Sequence, residues 1–156
     1  MFCMEMDRNG FEVLGRDECF ALLRSAAVGR IGLSMSALPV VLPVNFAVDG
    51  DRLVVRTAAG SKLDAALAGA VVAFEADHID PDSGEAWSVL VRGSSAVLTD
   101  PADIASLADL DLNSWVADSS DQWVMITTDI VSGRRTRSRR GTSGAGRRDA
   151  VPVGCR

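Results

Sequence analysis

Residue types that commonly build metal and disulfide sites are scarce in this 156-residue sequence. Histidine occurs once, at His78, which excludes a histidine-rich zinc or iron site unless oxygen ligands hold nearly the whole ion. The three cysteines, Cys3, Cys19 and Cys155, are odd in number and far apart in the chain. They therefore form neither a disulfide framework nor a metal cluster. We expect no metal site.

Long apolar runs and glycine-rich nucleotide motifs are also missing. Pro39 and Pro43 interrupt the most apolar stretch, and no run approaches the roughly 20 residues that cross a bilayer. The first ten residues, MFCMEMDRNG, contain no apolar signal segment. We therefore expect a cytoplasmic protein with no membrane partner. Neither G-x-G-x-x-G nor G-x-x-x-x-G-K-[ST] occurs, which argues against a dinucleotide fingerprint and a P-loop.

Charge is divided unevenly along the chain. Residues 1–133 carry eight basic and twenty acidic side chains, a net charge of −12, whereas residues 134–156 carry eight basic and one acidic, a net charge of +7. Duplex binding depends on neutralising phosphates with Lys and Arg, so nucleic acid is not expected as a partner of the acidic body. The composition of residues 136–156 predicts a disordered arginine-rich tail, and contact with nucleic acid through this tail alone is the alternative.

Length and hydrophobic periodicity predict one mainly β domain. We assign it to residues 14–135, after a flexible N-terminal lead of residues 1–13, with bounds that follow from a resemblance described below. Alternating or continuous apolar segments predict six strands, at residues 28–34, 40–47, 52–57, 71–77, 86–98 and 122–131. Helical spacing predicts three short helices, which begin near Asp17, Ser61 and Asp100.

Two features of the connections decide the fold class. Asp49-Gly50 predicts a tight hairpin, because glycine accepts the positive φ of primed turns, and a second turn is expected at Ala37-Leu38. The strands are spaced too tightly for βαβ units. We therefore expect a six-stranded antiparallel β-barrel with short helices rather than a doubly wound sheet.

The segment RTAAGSKL, residues 56–63, combines several features that bind phosphate. A predicted strand ends there and a helix begins, and the first N–H groups and the dipole of a helix attract anions. Thr57 and Ser61 add hydroxyl donors, and Lys62 is the only lysine in the chain. In the alternative interpretation Ser61 caps the helix together with Asp64, and Lys62 points into water. Spacing alone leaves both interpretations open.

Polar and aromatic residues occur at a few positions on the neighbouring predicted strands. Asn45 follows Leu42, Pro43 and Val44 on an otherwise apolar strand, and its amide would suit a planar heterocycle with donors and acceptors on its edge. Alternatively, Asn45 satisfies a nearby loop backbone. The other candidates lie at the start of two further predicted strands and are Trp87, Ser88 and Trp123. A tryptophan at a strand end is more often a core or interface residue than a stacking platform.

Three segments together resemble a known family. PVVLPVNFAVDGDRLVVRT at residues 39–57, GSKL at 60–63 and WSVLVRG at 87–93 closely resemble the pyridoxamine 5'-phosphate oxidase-like family of FMN-binding split barrels. The resemblance is greatest to the small flavin-nucleotide-binding branch common in actinobacteria. It covers residues 14–135, with the segments in family order and spacing.

The resemblance implies a six-stranded split barrel and a homodimer with two flavin sites at the subunit interface. Thr57, Ser61 and Lys62 would hold the FMN phosphate, with Leu63 beside them. The segment from Leu42 through Pro43 and Val44 to Asn45 would lie along the isoalloxazine. Further contacts to the flavin would come from Trp87, Ser88 and Trp123.

The chain departs from true pyridoxamine 5'-phosphate oxidases in one respect. It contains no tyrosine and one histidine, so the Arg, His and Tyr set that holds the substrate phosphate in those enzymes is not recognisable. Vitamin B6 oxidation is therefore not expected, and His78, beside Asp77 and Asp80, is interpreted as a solvated or capping residue.

The resulting expectation is an FMN-binding flavoprotein that transfers electrons or hydride between the flavin and a small organic substrate. One alternative keeps the fold but binds a deazaflavin coenzyme. The few basic residues of the body favour FMN, because the deazaflavin coenzyme has a longer acidic tail. A second alternative is a protein that stores flavin or another planar ligand without turnover.

Overall fold

The structure, a computed structural model, describes residues 5–58, 62–110, 112 and 121–136, without the side chains of residues 62, 64 and 121. In this described part the elements follow the order β1 (Glu12–Leu14), α1 (Arg16–Ser25), β2 (Val28–Met35), β3 (Leu38–Asp49), β4 (Arg52–Ala58), α2 (Lys62–Leu67), β5 (Val71–Ile79), β6 (Ala86–Val97), α3 (Pro101–Ser106), β7 (Asp121–Ile126) and β8 (Ile130–Arg135).

Six strands close into an antiparallel barrel. Their neighbour order is β6-β5-β2-β3-β4-β7, and β7 pairs again with β6. The predicted mainly β fold with a six-stranded antiparallel barrel is therefore confirmed. Strands β8 and β1 lie outside the closed barrel and continue the sheet beyond β6.

The last part of the barrel differs from the sequence prediction. A single strand over residues 122–131 is wrong, because β7 ends at Ile126 and β8 begins at Ile130. The alternation of side chains in the sequence does not reveal this break, because each of the two strands alternates in the same way between an inward and an outward side. The first strand was not predicted either, and Glu12 and Val13 of β1 lie in the segment predicted as a lead.

The β2–β3 turn is also displaced from its predicted position. Ser36 and Ala37 form it, with φ values of 50° and 64°, whereas the sequence predicts Ala37-Leu38. The predicted Asp49-Gly50 hairpin is confirmed: Asp49 pairs with Arg52 across the turn, and Gly50 has a φ of 59°.

Alternate strand residues fill the interior of the barrel. Phe46 and Phe74 meet edge to face there with ring centroids 4.6 Å apart, and α1 and α2 add the buried side chains of Leu23 and Leu67. A second apolar cluster packs on the outside of β4 and includes Val54, Leu98, Leu107 and Leu112.

The opposite strand residues form one outward sheet face. Pairing register aligns Asn45 with Val28 on β3 and β2, and Asp77 with Ser88 on β5 and β6. Arg30 pairs with Glu75 two residues further along, so Val28 lies opposite Asp77 across β2 and β5. Four residues therefore form one row across four strands: Asn45, Val28, Asp77 and Ser88. This face, which also includes outward residues of β8 and β1, is called the outer face below.

Candidate functional site

A cavity of about 610 Å³ lies between the end of α1 and strand β3. Its walls are residues 23–28, residues 45–48 and Leu112. Small-molecule sites typically enclose about 300–1,000 Å³. The volume therefore suits a planar ring system, and Asn45 contributes an amide to the β3 wall.

Of the four predicted β3 residues, Asn45 alone lines this cavity. Because strand residues alternate between faces, Leu42 and Val44 belong to the inward series, and Val44 is buried in the core. Pro43 is exposed on the outer face, opposite Arg30. A contact surface predicted from consecutive strand residues is thus divided between two sides of the sheet.

Strands β3 and β4 stop pairing beside Asn45. Their last pair in this direction is Phe46 with Val55, although β4 continues to Ala58 as a partner of β7. Pro43 has no N–H to donate, which suits an unpaired strand segment. The barrel wall is therefore split next to the cavity, where Arg56 and Thr57 follow on β4.

Thr57 contains a buried hydroxyl without a hydrogen-bond partner among the described residues. The side chain is 6% exposed and belongs to the inward series of β4 with Leu53 and Val55. Burying a hydroxyl without a hydrogen bond is unfavourable, and most buried side-chain polar atoms have one. A ligand oxygen that accepts from Oγ1 would remove this penalty, so Thr57 fits the predicted phosphate contact.

The other predicted phosphate residues are described only in part. Ser61 lies outside the described residues, and Lys62 is described only as the first residue of α2, without its side chain. Leu63 packs against the barrel core. The alternative prediction, a helix cap by Ser61 together with Asp64, also lies outside what the structure describes.

Arg56 is a site candidate that the sequence prediction did not include. Its guanidinium carbon lies 5.3 Å from the centroid of the Trp123 ring, and Nη1 donates to the Leu112 carbonyl oxygen at 3.2 Å. The cation–π contact and the hydrogen bond hold this positive charge close to the cavity wall. The sequence feature that could have indicated Arg56 is its position one residue before Thr57, in a part of the chain that has few basic residues.

Trp87 and Ser88 point to opposite sides of β6. Ser88 is exposed on the outer face, whereas Trp87 belongs to the inward series and packs against the core. Three strand spacings separate Asn45 from Ser88 along their row, about 14 Å at 4.8 Å per strand. Within one chain, the structure does not bring these two predicted flavin contacts together.

An ion-pair cluster lies between Asn45 and Ser88 on the outer face. Arg30 Nη1 contacts Asp77 at 2.9 Å and Glu75 at 3.0 Å. Hydrogen bonds to Asp77 and then Glu75 raise the pKa of Arg30. Because the arginine side chain is half exposed, the pairs contribute little to stability in water, and Arg30 offsets only part of the charge of the two carboxylates.

None of the helices in the described part of the chain has the length and hydropathy needed to span a membrane. Within the same ranges, His, Cys, Asp and Glu side chains form no group of three or more that could hold a metal ion.

Similar proteins place the chain in a family. The family profile described as pyridoxamine 5'-phosphate oxidase matches residues 15–135. An uncharacterized protein of Mycobacterium tuberculosis is 39% identical over 127 residues, covering 78% of this chain and 83% of that protein.

Solved structures agree with this match. The structure of the FAD binding protein from Mycobacterium smegmatis is 37% identical, has a TM-score of 0.73, and is matched over 80% of this chain and 98% of that one. A candidate pyridoxamine 5'-phosphate oxidase from Corynebacterium glutamicum is 32% identical with a TM-score of 0.72, over 80% and 97% of the two chains. The profile spans well over half of the sequence, and the chain belongs to the pyridoxamine 5'-phosphate oxidase-like family.

Proposed function

We propose that this protein binds a flavin nucleotide, with the ring in the cavity beside Asn45 and the phosphate near Thr57. The observation that carries the proposal is the buried Thr57 hydroxyl, which has no partner among the described residues. A phosphate oxygen could accept from this hydroxyl, and hydrogen bonds to charged groups contribute about 1.5–3 kcal/mol each. Ser61 and Lys62, which follow closely in the chain, would add a second hydroxyl and a positive charge.

The proposal names FMN as the first candidate and FAD as the second. FMN follows from the family resemblance of the segments around Asn45, Thr57 and Lys62. FAD is favoured by the relative from Mycobacterium smegmatis, which is described as FAD binding and is 37% identical. Both flavins have a phosphate next to the ribityl chain, so the role proposed for Thr57 is the same for either.

The chain would act as an oxidoreductase on a small organic substrate. When bound, the flavin ring supplies the electron and hydride transfer, while the protein provides binding and orientation. The Asn45 amide would hold a polar edge of the ring. Residues 25–28 and Leu112, which line the same cavity, would exclude water from it. Arg56 would supply positive charge near the ring.

The proposal includes a homodimer with the flavin sites at its interface. Large apolar side chains are exposed on the outer face, including Val41 at 66%, Val71 at 81% and Ile79 at 65%. Exposed apolar patches mark interaction surfaces, and most soluble homo-oligomers are symmetric dimers. Ser88 is about 14 Å from Asn45 within one chain, so a second copy is the natural source of the contact predicted for Ser88.

Light scattering coupled to size exclusion tests the dimer. Ala73→Glu places a charge in the middle of the outer face, and we expect this variant to be monomeric. Ala105→Glu adds the same charge on the exposed side of α3 and should remain dimeric. A monomeric wild-type protein, or a dimeric Ala73→Glu variant, would contradict the interface.

Mass spectrometry of the small molecule released on denaturation tests the cofactor. Release of FMN or FAD is expected, and a titration of the emptied protein with each flavin gives the preference. Release of a deazaflavin would support the alternative coenzyme. Failure to bind either flavin at saturating concentration would overturn the proposal. NAD(P)H oxidation no faster than with free flavin would favour storage over catalysis.

A further inference from the structure

An aromatic platform lies on the other side of residues 25–28 from the cavity beside Asn45. His78 of β5 and Trp87 of β6 are direct cross-strand partners. Their ring centroids are 6.5 Å apart and their planes are inclined by 32°. Two neighbouring rings at a shallow angle form a surface wide enough for a planar ligand to stack on.

Two cavities open onto this platform. One of about 510 Å³ is lined by residues 25–28 together with Asp77, His78 and Trp87. The other, of about 490 Å³, also includes both rings and reaches the loop between β5 and β6. Trp87 packs against the barrel core on its other side, so the protein supports the ring while leaving part of it accessible.

The side chains around the platform carry an excess of negative charge. Asp77, Asp80, Glu85 and Glu12 line the two cavities, and the cation among the lining residues is Arg135. Asp77 is paired with Arg30, which lies outside both linings. Arg135 is already bonded to Glu12, with Nη2 to Oε1 at 3.0 Å. Glu85 is exposed and makes no ion pair with another described residue. A positive charge above the rings would therefore be favoured.

We propose that the Trp87–His78 platform is a binding site for a planar organic cation, such as a pyridinium or an aromatic ammonium compound. The face of a tryptophan ring attracts cations, and the surrounding carboxylates reinforce this preference. A flavin phosphate would be repelled by the same carboxylates. The two rings do not line the proposed flavin cavity, although residues 25–28 border both cavities, so the cation should bind whether or not flavin is present.

The test compares two ligands that share one ring. 1-Methylnicotinamide carries a permanent positive charge, whereas nicotinamide is neutral. Calorimetric titration of the full-length protein should give at least tenfold tighter binding of the cation. Nuclear magnetic resonance should show that the cation shifts the indole N–H signal of Trp87. Equal affinities, or an unmoved Trp87 signal, would overturn the proposal.

Variants separate the platform from the flavin cavity. Glu85→Lys reverses an exposed charge without touching the core and should weaken binding of the cation about tenfold, with Glu85→Gln intermediate. Trp87→Phe keeps an aromatic ring and should weaken binding of the cation less than Trp87→Leu does. Asp17→Asn, on the exposed side of α1, is the matched control and should have no effect. Unchanged affinity in Glu85→Lys would contradict the site, whereas loss of flavin binding alone would not.

Discussion

Gly93 lies directly against the carbonyl group of Thr127. A Cβ atom at this glycine would overlap the Thr127 carbonyl oxygen. The contact occurs where β6 changes partner, because residues before Gly93 pair with β8 and Ser95 pairs with β7. Ser94 and Thr127 also bond to each other, with Ser94 N donating to Thr127 Oγ1 at 2.8 Å and Thr127 N donating to Ser94 O at 2.9 Å. The absent side chain at Gly93 thus lets the chain close the barrel.

Gly93→Ala is expected to destabilise the protein by roughly 1–3 kcal/mol or more, since the methyl group meets backbone that cannot easily move. Urea unfolding measures the change. Gly32→Ala is the control, because a Cβ there would lie 3.7 Å from the Ala73 Cβ, an ordinary contact. Equal unfolding midpoints for the two variants would show that Thr127 can yield.

Asp103 is expected to make stability depend on acid pH. Arg52 donates from Nη1 to Asp103 Oδ2 at 3.1 Å and from Nε to Asp49 Oδ2 at 2.8 Å, which ties α3 to the β3–β4 hairpin. The hydrogen bonds from Arg52 hold the pKa of Asp103 below its ordinary value of 3.8. A depressed folded-state pKa stabilises the fold above the unfolded-state pKa and loses this effect as pH falls through the folded-state value.

Asp103→Asn should therefore reduce the loss of unfolding free energy below about pH 4. The measurement is urea unfolding at a series of pH values between neutrality and strong acid. Ala108→Asn, at an exposed position just beyond α3, leaves every carboxylate in place and is the control that should keep the wild-type pH profile. If both variants follow the wild-type profile, Arg52 does not favour the ionised form of Asp103 in solution.

Thr57→Val is expected to separate flavin affinity from stability. It removes a buried hydroxyl without a described partner, so the flavin-free protein should be as stable as wild type or more stable. Loss of one hydrogen bond to phosphate should weaken flavin binding about tenfold or more. Thermal unfolding without flavin and a flavin titration measure the two effects.

Thr128→Val is the matched control for Thr57→Val. The buried Thr128 hydroxyl donates to the Asp51 carbonyl oxygen and accepts from Arg16 Nη2 at 2.7 Å. Its removal should lower stability and leave flavin affinity unchanged. The opposite pattern, with Thr57→Val destabilised and its flavin affinity intact, would place the phosphate elsewhere.

Lys62→Ala should weaken flavin binding by about an order of magnitude or more, because it removes the only lysine from the proposed phosphate site. Quenching of flavin fluorescence on binding gives the dissociation constant. Lys62→Arg retains the charge and should recover most of the affinity. Unchanged affinity in Lys62→Ala would assign this lysine to solvent.

The start of α3 and the β3–β4 hairpin, which depend on adjacent residues, were predicted from the sequence, whereas the β2–β3 turn was displaced by one residue. The helix expected near Asp100 begins at Pro101, with the Asp100 side chain accepting from Ala102 N at 2.9 Å. The hairpin at Gly50 forms as expected. These features follow from backbone geometry and capping within a few residues, so they can be predicted from the neighbouring residues alone.

Where the candidate site residues lie was harder to predict, because a strand distributes consecutive residues over two faces. Leu42 and Val44 belong to the inward series, while Asn45 lines the cavity. Trp87 and Ser88 are likewise divided between the barrel side and the outer face. Arg56 was overlooked because its contacts with Trp123 and Leu112 join residues more than fifty positions apart.

By itself, the sequence determined the mainly β character of the chain, most strand positions, the hairpin at Gly50 and the presence of a single lysine. Only the tertiary structure decided that the last predicted strand is interrupted between β7 and β8 and that β6 pairs with both of them. It also decided that the Thr57 hydroxyl is buried without a described partner. Periodicity reports which side of a strand is apolar, a local property. Barrel closure and burial depend on contacts between distant segments, which no local pattern encodes.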